Sequence, residues 1–336
     1  MNRLKFLLDN MDARGVSRQQ VLANTGISAD GLDLQECRLS IEQYRVLLRN
    51  IMTLSPPGEG IRMGLRSTIA DEGVLGYASL SSSNIREVND LTRKYHRLSD
   101  PFIAYSDSVV DDEWLLEFTP IFPLGDVLPF VIEDLFARSV VEFRMYTGIV
   151  KKFKGLYFSY PEPPYVSLYE ETFQCPLYFE QSANKIVVDA SYLDSPIIYS
   201  NPEVCKLCEA QCEKLLKETN QSEGICTDVR RQLLLNPGKY PSLEEMSRLL
   251  HLSPATFQKK LRDEKESYRD ILNNIRRDLA IQYLEQTELP PKKISFQLGF
   301  SNVNNFRRAF KEWTGHNPSY YRNGAALKAD SESGFE

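Results

Sequence analysis

Asn304, Asn305 and Arg308 lie close together in a segment whose apolar residues, Phe306 and Phe310, recur four apart. An asparagine amide can donate to and accept from the edge of adenine. An arginine fork matches the two acceptors of guanine, and a good bidentate pair discriminates by about 1–3 kcal/mol. Fifty residues earlier, Gln258 and Lys259 stand beside Phe257 and Leu261 in the same way. The chemistry these residue types imply is hydrogen-bond reading of base edges together with charge neutralisation of phosphate. Chemistries that break bonds are poorly supplied. The chain has three histidines, His96, His251 and His316, which are too scattered to build a histidine metal site. Among short catalytic signatures, no phosphate-cradling glycine loop, nucleophile elbow or His-Glu-x-x-His is present. The carboxylate pairs Asp111-Asp112 and Glu170-Glu171 fall where turns or exposed surface are expected. His96 is expected as a surface or C-terminal helix residue and not a ligand, and no enzyme activity or cofactor is expected.

The reading residues need rigid carriers, and local signals supply them twice. In the second stretch Gly299 suits the left-handed turn that ends a short helix. Ser301 is expected to cap the helix that follows. Phe306, Phe310 and Trp313 then form its inward stripe, leaving Val303, Asn304, Asn305 and Arg308 outside. In the first stretch Ser242 and Glu245 have capping-box spacing. Leu243, Met246, Leu249 and Leu250 follow as one apolar face. Ser253-Pro254 starts a second helix with proline at its first position, leaving Ala255, Gln258, Lys259 and Arg262 outside. Residues 267–287 read as one connecting helix with Ile271, Leu272, Ile275, Leu279 and Tyr283 inward. About 20 residues span about 30 Å, close to the roughly 34 Å between successive major-groove faces.

Taken together, Gly299-Phe300-Ser301, Phe306-x-Arg308-x-Phe310-Lys311, Gly315, Pro318 and Tyr321-Arg322 resemble the DNA-binding domain of the AraC/XylS family of bacterial transcription regulators, over residues 223–323. The resemblance implies two helix-turn-helix motifs. It points to Ala255, Gln258 and Lys259 in the first recognition helix and to Val303, Asn304, Asn305 and Arg308 in the second. Ser295 departs from the family's usual alanine, and Asn304 from its serine or threonine. Asn317 precedes Pro318 where the family has serine or threonine. Ala255 is small for a base-reading position.

Charge agrees with this division. The whole chain carries −6, yet residues 223–323 hold 17 Lys or Arg against 12 Asp or Glu, a net of +5. Residues 1–222 hold 22 against 31. A DNA binder needs positive charge locally and not over the whole chain. The start of the chain lacks the pattern of a secretory signal, and no apolar run approaches a membrane span. A cytoplasmic location, no membrane partner and free thiols are expected. Residues 324–336 read as a disordered tail.

Upstream, an α+β domain over residues 1–198 is expected, followed by a linker or dimerisation helix over 199–222. Helices are expected near 2–13, 17–25, 40–54, 85–97 and 128–147, with Gly15, Gly26 and Gly31 as breaks. Strands are expected near 102–109, 114–120, 155–160, 175–179 and 185–189. Gly73-Val-Leu-Gly76-Tyr-Ala78, Phe173-Gln-Cys175-Pro-Leu-Tyr-Phe179 and Asp189-Ala-Ser-Tyr-Leu193 resemble the arabinose-binding-like sensor domain of one branch of the same family. That implies a small-molecule effector of unspecified identity, with homodimerisation and contact with RNA polymerase as further expectations. Cys205, Cys208, Cys212 and Leu215 fall at a/d spacing of a two-stranded coil. They read either as a dimer or docking face, since cysteine packs as a small apolar residue, or as a thiol or metal sensor with Cys226 as a further thiolate.

Overall fold

Serine and glutamine three residues apart begin two of the early helices. Ser17 with Gln20 and Ser40 with Gln43 each form a reciprocal capping box. The computed structural model describes residues 2–29, 32, 39–148, 153–222, 224–234, 238–286 and 289–322. Gly31 and the tail 324–336 lie outside the described residues. Two units partition the chain, Met1–Phe179 with Ala183–Thr219, and Glu180–Ser182 with Asn220–Glu336.

The first unit opens with α1 (Asn2–Asp12), α2 (Arg18–Val21), α3 (Ile41–Thr53), α4 (Glu59–Arg66), α5 (Gly73–Leu80) and α6 (Ile85–Tyr95). A hairpin of β1 (Ile103–Val110) and β2 (Glu113–Pro120) follows, turned by Asp111 and Asp112 at positive φ. Next come α7 (Leu128–Thr147), β3 (Gly155–Tyr157), α8 (Val166–Phe173), β4 (Leu177–Tyr178), β5 (Asn184–Asp189) and α9 (Pro202–Ser222). The sheet runs β1-β2-β5-β3-β4, antiparallel except for the β3–β4 pair. Its inward residues meet α7 through aromatic pairs: Phe118 with Phe136 at 5.8 Å, Phe136 with Phe158 at 5.3 Å, and Trp114 with Phe143 at 6.2 Å. This α+β architecture is the expected class.

Several elements differ from expectation for local reasons. β4 pairs over two residues and not five, because Pro176 has no N–H to donate and Glu180 turns to φ +56°. α8 follows Pro161, Pro163 and Pro164 and lies where no element was expected. Burial of Tyr169 and Phe173 makes it a helix nonetheless. α4 contains Gly60 and Gly64, poor helix formers, yet both are required. A Cβ on Gly64 would lie 2.3 Å from the Asp134 carbonyl oxygen, so α4 and α7 touch backbone to backbone.

The second unit consists of helices: α10 (Ile225–Leu234), α11 (Leu243–Leu249), α12 (Pro254–Asp263), α13 (Tyr268–Gln286), α14 (Pro291–Gln297) and α15 (Val303–Thr314). The carboxy-terminal half of α13 buries Ala280, Tyr283 and Leu284 against Ile294, Leu298, Phe306 and Phe310. No described helix is long and apolar enough to cross a membrane.

Candidate DNA interface and ligand cavity

α11–α12 and α14–α15 are two copies of one local construction. In each, a buried serine in the first helix, Ser247 or Ser295, sends its hydroxyl to the carbonyl three residues back. That bond explains how Ser295 fills a site where alanine is usual. The chain then reverses through a left-handed residue, His251 at φ +55° or Gly299 at φ +72°. The turn closes with Leu252 N–H donating to Ser247 O at 2.8 Å and Phe300 N–H to Ser295 O at 2.9 Å. Beyond that point the copies diverge. Ser253 caps α12, its hydroxyl accepting from Thr256 N–H. In the second copy the cap is Asn302 and not Ser301: Asn302 Oδ1 accepts from Asn305 N–H at 2.8 Å. The second turn is one residue longer, so the expected cap falls one position short. Leu249 also departs from expectation, being 55% exposed while Met246 and Ser247 take the inward places.

Arg276, in the middle of α13, was not singled out in the sequence. Its Nε donates to the Leu298 carbonyl at the end of α14, 3.1 Å away. The guanidinium lies between the rings of Tyr240 and Phe300, at 5.0 and 4.9 Å. Burial lowers its pKa, and ring and carbonyl contacts replace lost water. The connecting helix is thereby fastened to the second motif at the point where an unpaired carbonyl needs a donor.

The side chains expected to read bases occupy the opposite faces. Ala255, Gln258 and Lys259 are exposed on α12, as are Asn304, Asn305 and Arg308 on α15. Val303 is the exception: it is half-buried and packs against the α14–α15 core. Arg307 and Lys311 are further exposed cations on α15, and Lys260 and Arg262 on α12. Among the described residues no ion pair joins these cations to a carboxylate. By contrast, Arg14, Arg18, Arg66, Arg93 and Arg138 of the first unit are all paired. Exposed unneutralised cations along two capped helices are what phosphate contact requires.

The cysteine face of α9 is buried within its own unit. Cys205 and Cys212 are 3% and 0% exposed, packed with Leu75, Ala78, Leu91 and Tyr95 of α5 and α6. The docking reading therefore describes this face, and a two-stranded seam through Cys205, Cys208 and Cys212 is not available. Burial pushes the Cys212 thiol up to about 12, so it is protonated and a poor nucleophile or metal ligand. Cys226 belongs to the second unit, on α10, where burial likewise raises its thiol to about 12. The thiol or metal alternative has no support, and no group of three His, Cys, Asp or Glu placed for a metal occurs among the described residues.

Between α5, α6, α7 and the β1–β2 hairpin lies a cavity of about 90 Å³, several times what one water needs. Trp114, Tyr105, Phe118 and Phe143 form its aromatic side. A buried relay holds that wall: Asn89 Nδ2 donates to Asp107 at 2.9 Å, Trp114 Nε1 donates to the same carboxylate at 3.1 Å, and Tyr105 donates to Asn89 at 2.5 Å. His96, expected on the surface or at a helix C-terminus, ends α6, lines the cavity and lies tilted against Tyr105 with ring centroids 5.6 Å apart. The charged side is Glu72, Asp100, Arg138 and Glu142. Arg138 donates to Glu72 and, at 2.8 Å, to Asp100. Burial alone would raise Asp100, but Arg138, His96 and Arg3 outweigh it and hold the carboxyl low. Glu142 goes the other way: burial and then Glu72 push it up to about 8. None of these four was identified from sequence. The available signal was Asp134, Arg138 and Glu142, four apart along α7.

With both sites described, the comparisons place the chain. Residues 15–197 match the family described as the arabinose-binding domain of AraC transcription regulator, N-term, and residues 246–324 match a helix-turn-helix domain. The chain belongs to the AraC family of transcription regulators: a DNA-binding helix-turn-helix protein with an arabinose-binding-like ligand domain in front. The ornithine utilization regulator of Pseudomonas aeruginosa is 35% identical over 94% of this chain and 94% of its own length. The regulator VqsM of the same species is 26% identical over 79% of this chain and 83% of its own. Among solved structures, the transcriptional regulator CdpR from Pseudomonas aeruginosa covers 96% of this chain and 98% of that one, with a TM-score of 0.47 and 21% identity.

Proposed function

We propose that α12 and α15 are the two reading heads, with Gln258 and Lys259 working in one major groove and Asn304, Asn305 and Arg308 in the next. The observation that carries this reading is the doubled helix-turn-helix with its exposed, unpaired cations. Its connecting helix of 19 residues spans about 28 Å at the usual rise, near the helical repeat of DNA. Ala255 contributes close approach, and Val303 holds α15 on its core and touches DNA with at most its exposed edge. The cavity of the first unit receives the effector, whose differential affinity for two states of the protein changes promoter occupancy. Ornithine, named for the Pseudomonas relative, is the first compound to test. A homodimer acting beside RNA polymerase in the cytoplasm completes the reading, which assigns the chain no catalysis.

Footprinting of the full chain on promoter DNA, followed by titration of variants, tests the reading. Arg308→Ala is expected to lose about 1–3 kcal/mol on the specific site and little on random DNA. Lys259→Ala is expected to weaken both alike and to reduce the salt slope by about one. Equal losses on both DNAs for Arg308→Ala would remove it from base reading. Sedimentation of the full chain tests the dimer.

A further inference from the structure

The effector cavity carries an imbalance of charge that points to the class of molecule it takes. Of its three carboxylates, Glu72 and Asp100 both lie on Arg138, and Asp100 also faces His96 and Arg3. Glu142 is different. It lies one turn beyond Arg138 on α7, half-buried, and makes no hydrogen bond or ion pair among the described residues. Arg138 is 3% exposed, and its Nε has no hydrogen-bond partner. The cavity therefore presents a carboxylate that no ion pair or hydrogen bond engages, and beside it a buried donor without an acceptor. Trp114 and Phe143, in edge contact with each other, also line the cavity, rings suited to covering methylene groups and to facing a cation.

We propose that this cavity takes a small molecule whose aliphatic chain ends in a primary ammonium group, with Glu142 accepting from that terminal ammonium and Trp114 and Phe143 covering the chain's methylenes. The inference rests on the cavity being the effector site and names the chemistry of that site. A neutral sugar would leave Glu142 without a counter-charge, and an anion would meet three carboxylates with one arginine already engaged by two of them. An ammonium replaces lost water on Glu142 and relieves its repulsion with Glu72. Binding then couples to a proton. The groups facing Glu142 are Glu72, Asp100, Arg138, Arg3 and the Tyr146 hydroxyl, whose pKa burial and Glu142 raise further. Because burial lifts Glu142 to about 8, an ammonium binds its ionised form and displaces one proton below that pH.

The experiment is calorimetric titration of the full chain with L-ornithine and putrescine. L-Norvaline, which lacks the terminal ammonium, L-arabinose and butyrate are the comparison probes. The expected result is heat with ornithine or putrescine and none with norvaline, and an affinity that rises about tenfold per pH unit below about pH 8 and then levels. Glu142→Gln, isosteric with the protonated acid, is expected to weaken amine binding at least tenfold at pH 8 and to abolish its pH dependence. Its unliganded melting temperature at pH 6 serves as the check on folding. Amine binding that is independent of pH, or unchanged in Glu142→Gln, overturns the proposal, as does binding of none of the amines. If arabinose or butyrate binds instead, and Ser139→Phe, which fills the cavity from α7, abolishes that binding, the ammonium class is wrong while the cavity remains the effector site.

Discussion

Gly299→Ala is expected to destabilise the second helix-turn-helix by two separable effects. The residue sits at φ +72°, where an alanine costs about 1–2 kcal/mol. In addition, its Cβ would lie 2.7 Å from the Gly238 carbonyl oxygen and 3.3 Å from Tyr240 Cδ2. Backbone and a half-buried ring cannot both yield without moving the α14–α15 turn, an overpacking cost of about 1–3 kcal/mol. The two effects give a loss of about 2–5 kcal/mol, a large part of a domain's total stability. Gly315 provides the control within the same unit. It has φ +78°, with nothing within 4 Å of a Cβ, so Gly315→Ala carries only the backbone cost of about 1–2 kcal/mol. Urea unfolding of the full chain, followed by Trp313 fluorescence in a Trp114→Phe background, measures both. Trp114 and Trp313 are the two tryptophans of the chain, and they lie in different units. Equal losses in the two alanine variants would show that the approach of Gly238 to Gly299 carries no energy, and the argument from packing would fail.

Capping gives a paired expectation: Asn302→Ala loses about 1 kcal/mol, whereas Ser301→Ala, exposed and without the cap bond, stays within about 0.5 kcal/mol. Thermal unfolding of both variants checks it. Arg138→Met leaves Glu72 and Asp100 buried without their cation and is expected to cost about 3–5 kcal/mol, read as a lower melting temperature at pH 7. For Glu142 the folded carboxyl lies at about 8, above the ordinary 4.5, so the fold favours its protonated form. That contribution is complete below about pH 4.5 and is lost as pH rises through about 8. Glu142→Gln, which cannot ionise, should therefore gain on the natural protein across that window. The gain has a ceiling of about 1.4 kcal/mol per pH unit, reduced by solvent reaching this half-buried group. A constant difference from pH 5 to pH 9 would rule out the assignment.

Much of the doubled helix-turn-helix was legible because its signals are local. Ser242 with Glu245, Ser253 with Pro254, and Gly299 act through hydrogen bonds and dihedrals within four or five residues, and the structure forms each where the pattern put it. The exposed placement of Gln258, Lys259, Asn304, Asn305 and Arg308 follows from helical periodicity against Phe257, Leu261, Phe306 and Phe310. Local rules erred where two local alternatives compete, as with Ser301 and Asn302. Helix α8 after its prolines was not anticipated, and burial of Tyr169 and Phe173 supports it.

Contacts between distant segments could not be read that way. Arg276 looks like any surface arginine on a charged helix until Leu298, Tyr240 and Phe300 come from either side of it in the chain. Cys205 and Cys212 have the spacing of a seam, and only the presence of α5 and α6 beneath them decides that the seam is filled internally. The cavity joins Glu72, Asp100 and the α7 residues Arg138 and Glu142 from three segments, and its charge balance depends on which carboxylates the one arginine reaches. A hydrogen bond along a turn needs only neighbours in the chain, so sequence alone determined the two capped helix pairs and their outward faces. Burial and pairing of charge depend on what folds in from elsewhere, so the cavity of the first unit and the fastening of the connecting helix were decided in three dimensions.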